Sequence, residues 1–200
     1  MAFSFERPNE EWTSVSRAAL IGWCIFYGLF LLNAILDKDG FLFLDHANLV
    51  FHEIGHPAFG IFEVHWLMIL GGTLVQHLVP LGITAYFWWM RQTTGAVFSA
   101  FWFFENFLYT ASYMADARAL LLPLVNAQDI GDHDWNFLFS WWGVIMHDRK
   151  IAGYTRAVGW LGMLATVACL AWRHFRQEEK PHYTSQHAPG RGPLDYGGNR

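Results

Sequence analysis

Residues 18–36 contain no charged side chain, and no other feature of the chain narrows its possible folds so sharply. An apolar run of this length matches the ~20 residues that a helix needs to cross the hydrocarbon core of a bilayer. Comparable runs follow at 66–90, 95–115 and 151–172. Only 15% of the 200 residues are charged, against 54% hydrophobic and 18% aromatic, whereas soluble domains average about 25% charged. Eleven tryptophans and eighteen phenylalanines also exceed what one small soluble core uses. The predicted fold is therefore all-α: a polytopic transmembrane bundle with four full spans plus a short or re-entrant helix within 41–63. If that last helix crosses as well, the spans number five. Around this domain (18–173), the sequence predicts a polar arm at 1–17 and a disordered tail at 174–200, which is rich in Gly and Pro and too polar to fold alone.

The segment 41–63 is apolar but interrupted by Asp45, His46, His52, Glu53, His56, Pro57 and Glu63. Polar groups at membrane depth persist only where protein or a wet cavity surrounds them, so this helix is expected inside the bundle. Glu6, Glu10 and Glu11 offset Arg7 and Arg17 at the N-terminus, which lacks the clean basic region of a cleavable signal. The first apolar run is expected to stay. Cys24 and Cys169 lie inside apolar runs and read as ordinary thiols in lipid-facing or packed helices, not as a disulfide or a cysteine metal site. A net charge of −4 argues against nucleic acid as a partner and leaves membrane lipid and a membrane-borne substrate, protein or lipid. With four spans, the Lys and Arg bias favours both termini in the cytoplasm, as in a bacterial inner membrane.

Within the interrupted segment stands His52-Glu53-Ile54-Gly55-His56, the HExxH pattern. Residues four apart on a helix differ by about 40° around the axis and about 6 Å along it. His52 and His56 can thus turn two imidazoles to one ion, with Zn2+ the metal preferred by such ligands. Glu53 lies one position on, where it can activate a metal-bound water. Two histidines and a carboxylate are costly among apolar neighbours without partners, and one metal satisfies all three. Pro57 disfavours helical angles at His56, so the helix is expected to end or kink there.

A catalytic zinc site takes a third protein ligand. On the run 95–115 and just beyond it, Glu105, Tyr109, Ser112 and Asp116 share one helical stripe that should face the bundle interior. Glu105 and Asp116 stand about 16 Å apart along such a helix and cannot both bind one ion. The candidates for third ligand are His133, Asp116, Asp129, Glu105 and His147. His133 is favoured, with Asp132 or Asp134 orienting its second ring nitrogen, while Asp116 is the alternative ligand or the acceptor for a ligating histidine. The rival reading has Asp132 or Asp134 capping the helix that follows and His133 in solvent. Gln76 and His77 fall mid-span, where a hydrogen bond to a neighbouring helix suffices for His77. Gly71-Gly72 offer a close helix approach.

A HExGH motif beside transmembrane runs, with polar residues on a later run, resembles the membrane-embedded zinc metalloproteases of the site-2-protease type. The resemblance implies that His52 and His56 bind zinc and that Glu53 is the general base. It also implies an aspartate at an Asp-Gly sequence on a distant helix. The nearest counterpart here, Asp129-Ile130-Gly131, departs from that pattern. The expected function is an intramembrane zinc metallopeptidase with Glu53 as the catalytic residue, and with Tyr109 or His147 placed to stabilise an oxyanion. The rival readings are a lipid amide or ester hydrolase on the same metal site and a non-enzymatic metal-handling or transport protein.

Overall fold

The structure is a computed structural model that describes residues 11–37, 40–123 and 133–178. Its helices are α1 (Arg17–Leu36), α2 (Asp45–Gly60), α3 (His65–Trp89), α4 (Thr93–Ala115), α5 (Asp134–Trp141) and α6 (Asp148–Glu178), with a 3-10 turn at Ile145–His147 ahead of α6. Among the described residues there is no strand. Three stretches are long and apolar enough to cross a membrane: Arg17–Leu36, His65–Trp89 and Ile145–Gln177. Apolar side chains point outward from them, with Ile35 67% and Leu161 69% exposed, as suits a lipid-facing surface.

α4, expected as a span of its own, is not among the three. Its 23 residues are long enough, but Thr93, Ser99, Glu105, Asn106 and Thr110 lower its apolar content, and all five are buried. They face neighbouring helices instead of the outside. Phe101, fully buried on α4, packs on Tyr27 and Phe30 of α1 at ring separations of 4.6 and 5.3 Å. α6 meets α4 where Gly159 and Gly162 leave no room for a Cβ against Phe104, Phe107 and Leu108. It runs beyond Arg173, the predicted end of the domain, to Glu178; the predicted tail at 179–200 and arm residues 1–10 lie outside the described residues.

The segment before α1 meets the end of α6. The Val15 N–H donates to Gln177 Oε1 at 2.9 Å, and His174 Nδ1 lies 2.8 Å from the Val15 carbonyl. Thr13 hydrogen-bonds both Arg91 and Thr93 in the α3–α4 turn. The arm, this turn and the end of α6 therefore share one end of the bundle. At the opposite end, Trp66 at the start of α3 stacks edge-on against Trp141 of α5.

α2 has the helix pattern of a soluble protein turned inside out. Its buried residues are Asp45, Asn48, His52 and Gly55, on one face, while Val50 and Ile54 are exposed. At 16 residues it extends about 24 Å, short of the ~30 Å hydrocarbon core. It begins deep in the bundle. Asn48 donates to Asp45 Oδ1 and to Glu105 Oε2, both at 2.9 Å, and accepts from Trp102 Nε1 at 2.6 Å. It then runs outward, antiparallel to α3.

Of the two outcomes expected at Pro57, an end or a kink, the structure excludes the end: α2 continues to Gly60. Proline inside a helix removes one hydrogen bond and costs about 3 kcal/mol. Packing against α3 opposes that cost. A Cβ on Gly55 would strike the backbone of Gly71 and Gly72, and one on Gly71 would strike Gly55 O and Phe59. The two backbones touch through glycine on both sides, so Gly71-Gly72 play the close-approach role read from the sequence.

Candidate metal centre

The two motif histidines converge on a carboxylate 82 positions further along the chain. His52 Nε2 lies 2.8 Å from Asp134 Oδ2, and His56 Nε2 lies 3.4 Å from the same oxygen. Ligand atoms of His52, His56 and Asp134 all fall within 4.8 Å of one another. Ligands held at 2.0–2.1 Å in a tetrahedron around zinc stand about 3.3 Å apart, and the two measured separations bracket that value.

The other ring nitrogen of each histidine is already engaged. His52 Nδ1 lies 2.9 Å from Gln76 Oε1, and the Gln76 amide donates to Thr110 Oγ1 at 2.8 Å. With its amide nitrogen committed to α4, Gln76 presents its oxygen to the imidazole and selects the Nδ1–H form. His56 Nδ1 lies 3.1 Å from the carbonyl of Met68, which can only accept. Both Nε2 atoms are thereby left with free lone pairs aimed at one oxygen. Lone pairs facing a carboxylate repel it unless a proton or a cation sits between them, and oriented imidazoles backed by acceptors are the usual supports of metal ligands.

Gly72 makes room for this arrangement. A Cβ there would lie 2.8 Å from His52 Nε2 and Cε1 and from His56 Nε2. The α3 backbone thus forms one wall against both ligand nitrogens. The structure contains a cradle that any side chain would fill, and its two imidazoles and one carboxylate are donors that fit a divalent metal such as zinc.

α5 delivers Asp134. Trp135, Leu138 and Phe139 are buried against Met114 and Ala152, the Asp134 N–H donates to Tyr113 Oη at 3.1 Å, and Asn136 Nδ2 donates to Ala117 O at 2.7 Å. Burial pushes the Asp134 carboxyl up, but in the metal-free protein hydrogen bonding across the His52 and His56 contacts, with a proton in the place a cation would take, outweighs it and holds the group below the ordinary carboxylate range. It is ionised, as a ligand must be.

His133, the favoured third ligand from the sequence, takes the role assigned there to its neighbour. Its Nδ1 accepts the Asn136 N–H at 3.1 Å and caps α5. Its ring packs on that of Tyr113 at 4.3 Å, tilted by 39°, and Nε2 stands 3.5 Å from Asp116 Oδ2 without hydrogen-bond geometry. Burial lowers its pKa, so the ring is neutral. One position separates the two residues, and on a helix start that turns them to different partners. Asp116 accepts the N–H groups of Leu121 and Leu122 at 3.0 Å and does not approach the histidine pair. Glu105 is committed to Asn48, and His147 lies in the 3-10 turn, outside the group. Asp129 and Asp132 lie outside the described residues.

Glu53 is exposed beside the site, within electrostatic reach of His56. Tyr109 lies within the same reach of Glu53 and Asp134. His77 bonds the carbonyl of Thr73 in its own helix and packs on Phe107; Gln76, not His77, crosses to a neighbouring helix. The signal for Asp134 was present in the cluster at 132–134, but nothing in spacing alone tells which of its members turns inward. Against known proteins, the chain matches no family, no curated protein and no solved structure. Fold and geometry define its class: a helical bundle of membrane type with a His2Asp group at one end.

Proposed function

We propose that this chain is a membrane-embedded, zinc-dependent hydrolase acting on peptide bonds in or near the bilayer, with His52, His56 and Asp134 as ligands and Glu53 as general base. The observation that carries the proposal is the paired restraint of the two imidazoles. Gln76 and the Met68 carbonyl hold each Nδ1, and both Nε2 atoms meet at Asp134, one residue from an exposed glutamate. A zinc ion held there would supply Lewis acidity and lower the pKa of a coordinated water.

The chain itself supplies the rest. Glu53 is uncommitted and on the open side, where it takes a proton from the attacking water and returns it to the leaving amine. Tyr109, within electrostatic reach of Glu53 and Asp134, is the residue assigned to steady negative charge on the substrate carbonyl. In this reading α4 crosses with α1, α3 and α6, its polar face covered, and both termini lie on the cytoplasmic side.

The test is Glu53→Gln in purified full-length protein, assayed on transmembrane peptides and on labelled lipids. Metal content should stay stoichiometric while peptide cleavage falls by about 10²–10⁴-fold. Cleavage at the wild-type rate would remove Glu53 from the mechanism, and turnover of lipids alone would transfer the site to the lipid hydrolase reading.

A further inference from the structure

Where α2 begins against α4, two acidic side chains are enclosed together. Asp45 is 1% and Glu105 0% exposed. Asn48, also buried, donates from one amide nitrogen to Asp45 Oδ1 and to Glu105 Oε2, both at 2.9 Å. Its orientation is fixed, because Trp102 Nε1 donates to its oxygen at 2.6 Å. The two carboxyl groups stand within hydrogen-bonding reach of each other. Glu105 Oε1 has no partner among the described residues. Ionised carboxylates can only accept, so two of them at this range repel unless a proton or a metal ion joins them.

No basic side chain joins them: among the described residues, neither acid lies within ion-pair distance of Lys, Arg or His. The histidines of α3 pack elsewhere, His65 on Phe137 and His77 on Phe103 and Phe107, and His46 of α2 turns to the Phe43 carbonyl. Tyr109 of α4 and Asp37, just past α1, act on Asp45 electrostatically. On α6, Asp148 is paired with Arg118, and the exposed Arg149 and Arg156 line a cavity beside the pair. Asp45 opens onto this cavity, which measures about 850 Å3 between the ends of α1, α4 and α6. Its rim reaches the outside at Leu121, 83% exposed. Asp37, Asp45 and Asp116 in its lining outnumber the two guanidinium groups, which favours a cation on that path. A metal ion suits the pair less well than a proton. Hard cations take six or more oxygen ligands, Asn48 points a nitrogen donor into the space, and the group of three side chains placed to hold a metal is His52, His56 and Asp134. A proton needs two oxygens.

We propose that Asp45 and Glu105 form a proton-binding site, with one proton shared between the two carboxyl groups and exchanged with solvent through this cavity. The proton ties the start of α2 to α4. Without it, two like charges face each other across that contact, two helical turns before His52. The site is separate from the histidine pair and does not depend on the hydrolase reading.

The test is infrared spectroscopy of the full-length protein in detergent at neutral pH. Wild-type protein should show the carbonyl stretch of a protonated carboxylic acid, and transfer to deuterium oxide should shift that band while the helical signal in circular dichroism is kept. Glu105→Gln should abolish the band, and Asp45→Asn, which changes the partner of the proton, should move it. Absence of the band from the wild-type protein overturns the proposal without any variant. So does a band that neither substitution alters. A band that does not shift in deuterium oxide would make the contact a sealed structural hydrogen bond and remove the exchange. Loss of the band on adding millimolar sodium or calcium, with the ion retained by the protein in elemental analysis, would assign the pair to a metal ion instead.

Discussion

Replacing Gly72 with alanine tests the metal centre without touching any ligand. The new Cβ would stand 2.8 Å from His52 Nε2 and His56 Nε2, where ordinary contact begins at 3.4 Å, so the rings must retreat by about 0.6 Å. Metal–ligand distances tolerate only about ±0.2 Å. The rings are also tied behind, to Gln76 and the Met68 carbonyl, and cannot retreat without breaking those bonds. Losing one orienting partner costs about 10–100-fold in metal affinity. Displacing both ligands should cost 100-fold or more, about 2.7 kcal/mol. The backbone effect has the opposite sign, because Gly→Ala inside a helix stabilises by roughly 0.5–1 kcal/mol. Gly82→Ala on the same helix isolates that effect, since its Cβ would meet nothing within 4 Å. Zinc affinity by chelator competition and thermal unfolding by circular dichroism, both in detergent, give the two readouts. Gly72→Ala should lose metal while keeping its helical signal, and Gly82→Ala should keep both. Undiminished zinc affinity in Gly72→Ala would mean that the two imidazoles do not meet an ion on that side, and the site as drawn would fail.

Three further outcomes follow from the same geometry. Asp134→Ala should lose stoichiometric zinc while His133→Ala retains it, by elemental analysis; the reverse would restore His133 as the ligand. Gln76→Leu, which removes the acceptor for His52 Nδ1 and strands the Thr110 hydroxyl, should weaken zinc binding by about 10–100-fold with little loss of helix content, measured by the same chelator competition. In metal-free protein, the Asp134 carboxyl titrates below its unfolded value of about 3.9. Its contribution to stability is therefore fully present above that value and is lost as the pH falls through the lower folded one. Asp134→Asn should flatten the acid limb of the unfolding curve below about pH 4, and an unchanged limb would show that the histidines do not hold the carboxylate.

The long apolar helices and two of the three residues of the candidate group could be read from local pattern alone. Long uncharged runs predict helices that lipid accepts, because burial there depends on composition and length and not on any partner. The spacing of His52 and His56 places two imidazoles together because helix geometry is the same in every fold. What followed from neither was decided by packing. α2 stays helical through Pro57 because Gly55, Gly71 and Gly72 let two backbones touch, a contact between helices that no property of residue 57 foretells. The third member of the site lies 82 positions from the first, and the choice of Asp134 over His133 turns on how α5 seats Trp135, Leu138 and Phe139 against the bundle. His133 is the extended N-cap and Asp134 the first helical residue, so their side chains leave the backbone in different directions. Only the docking of that helix determines which of the two faces the histidines.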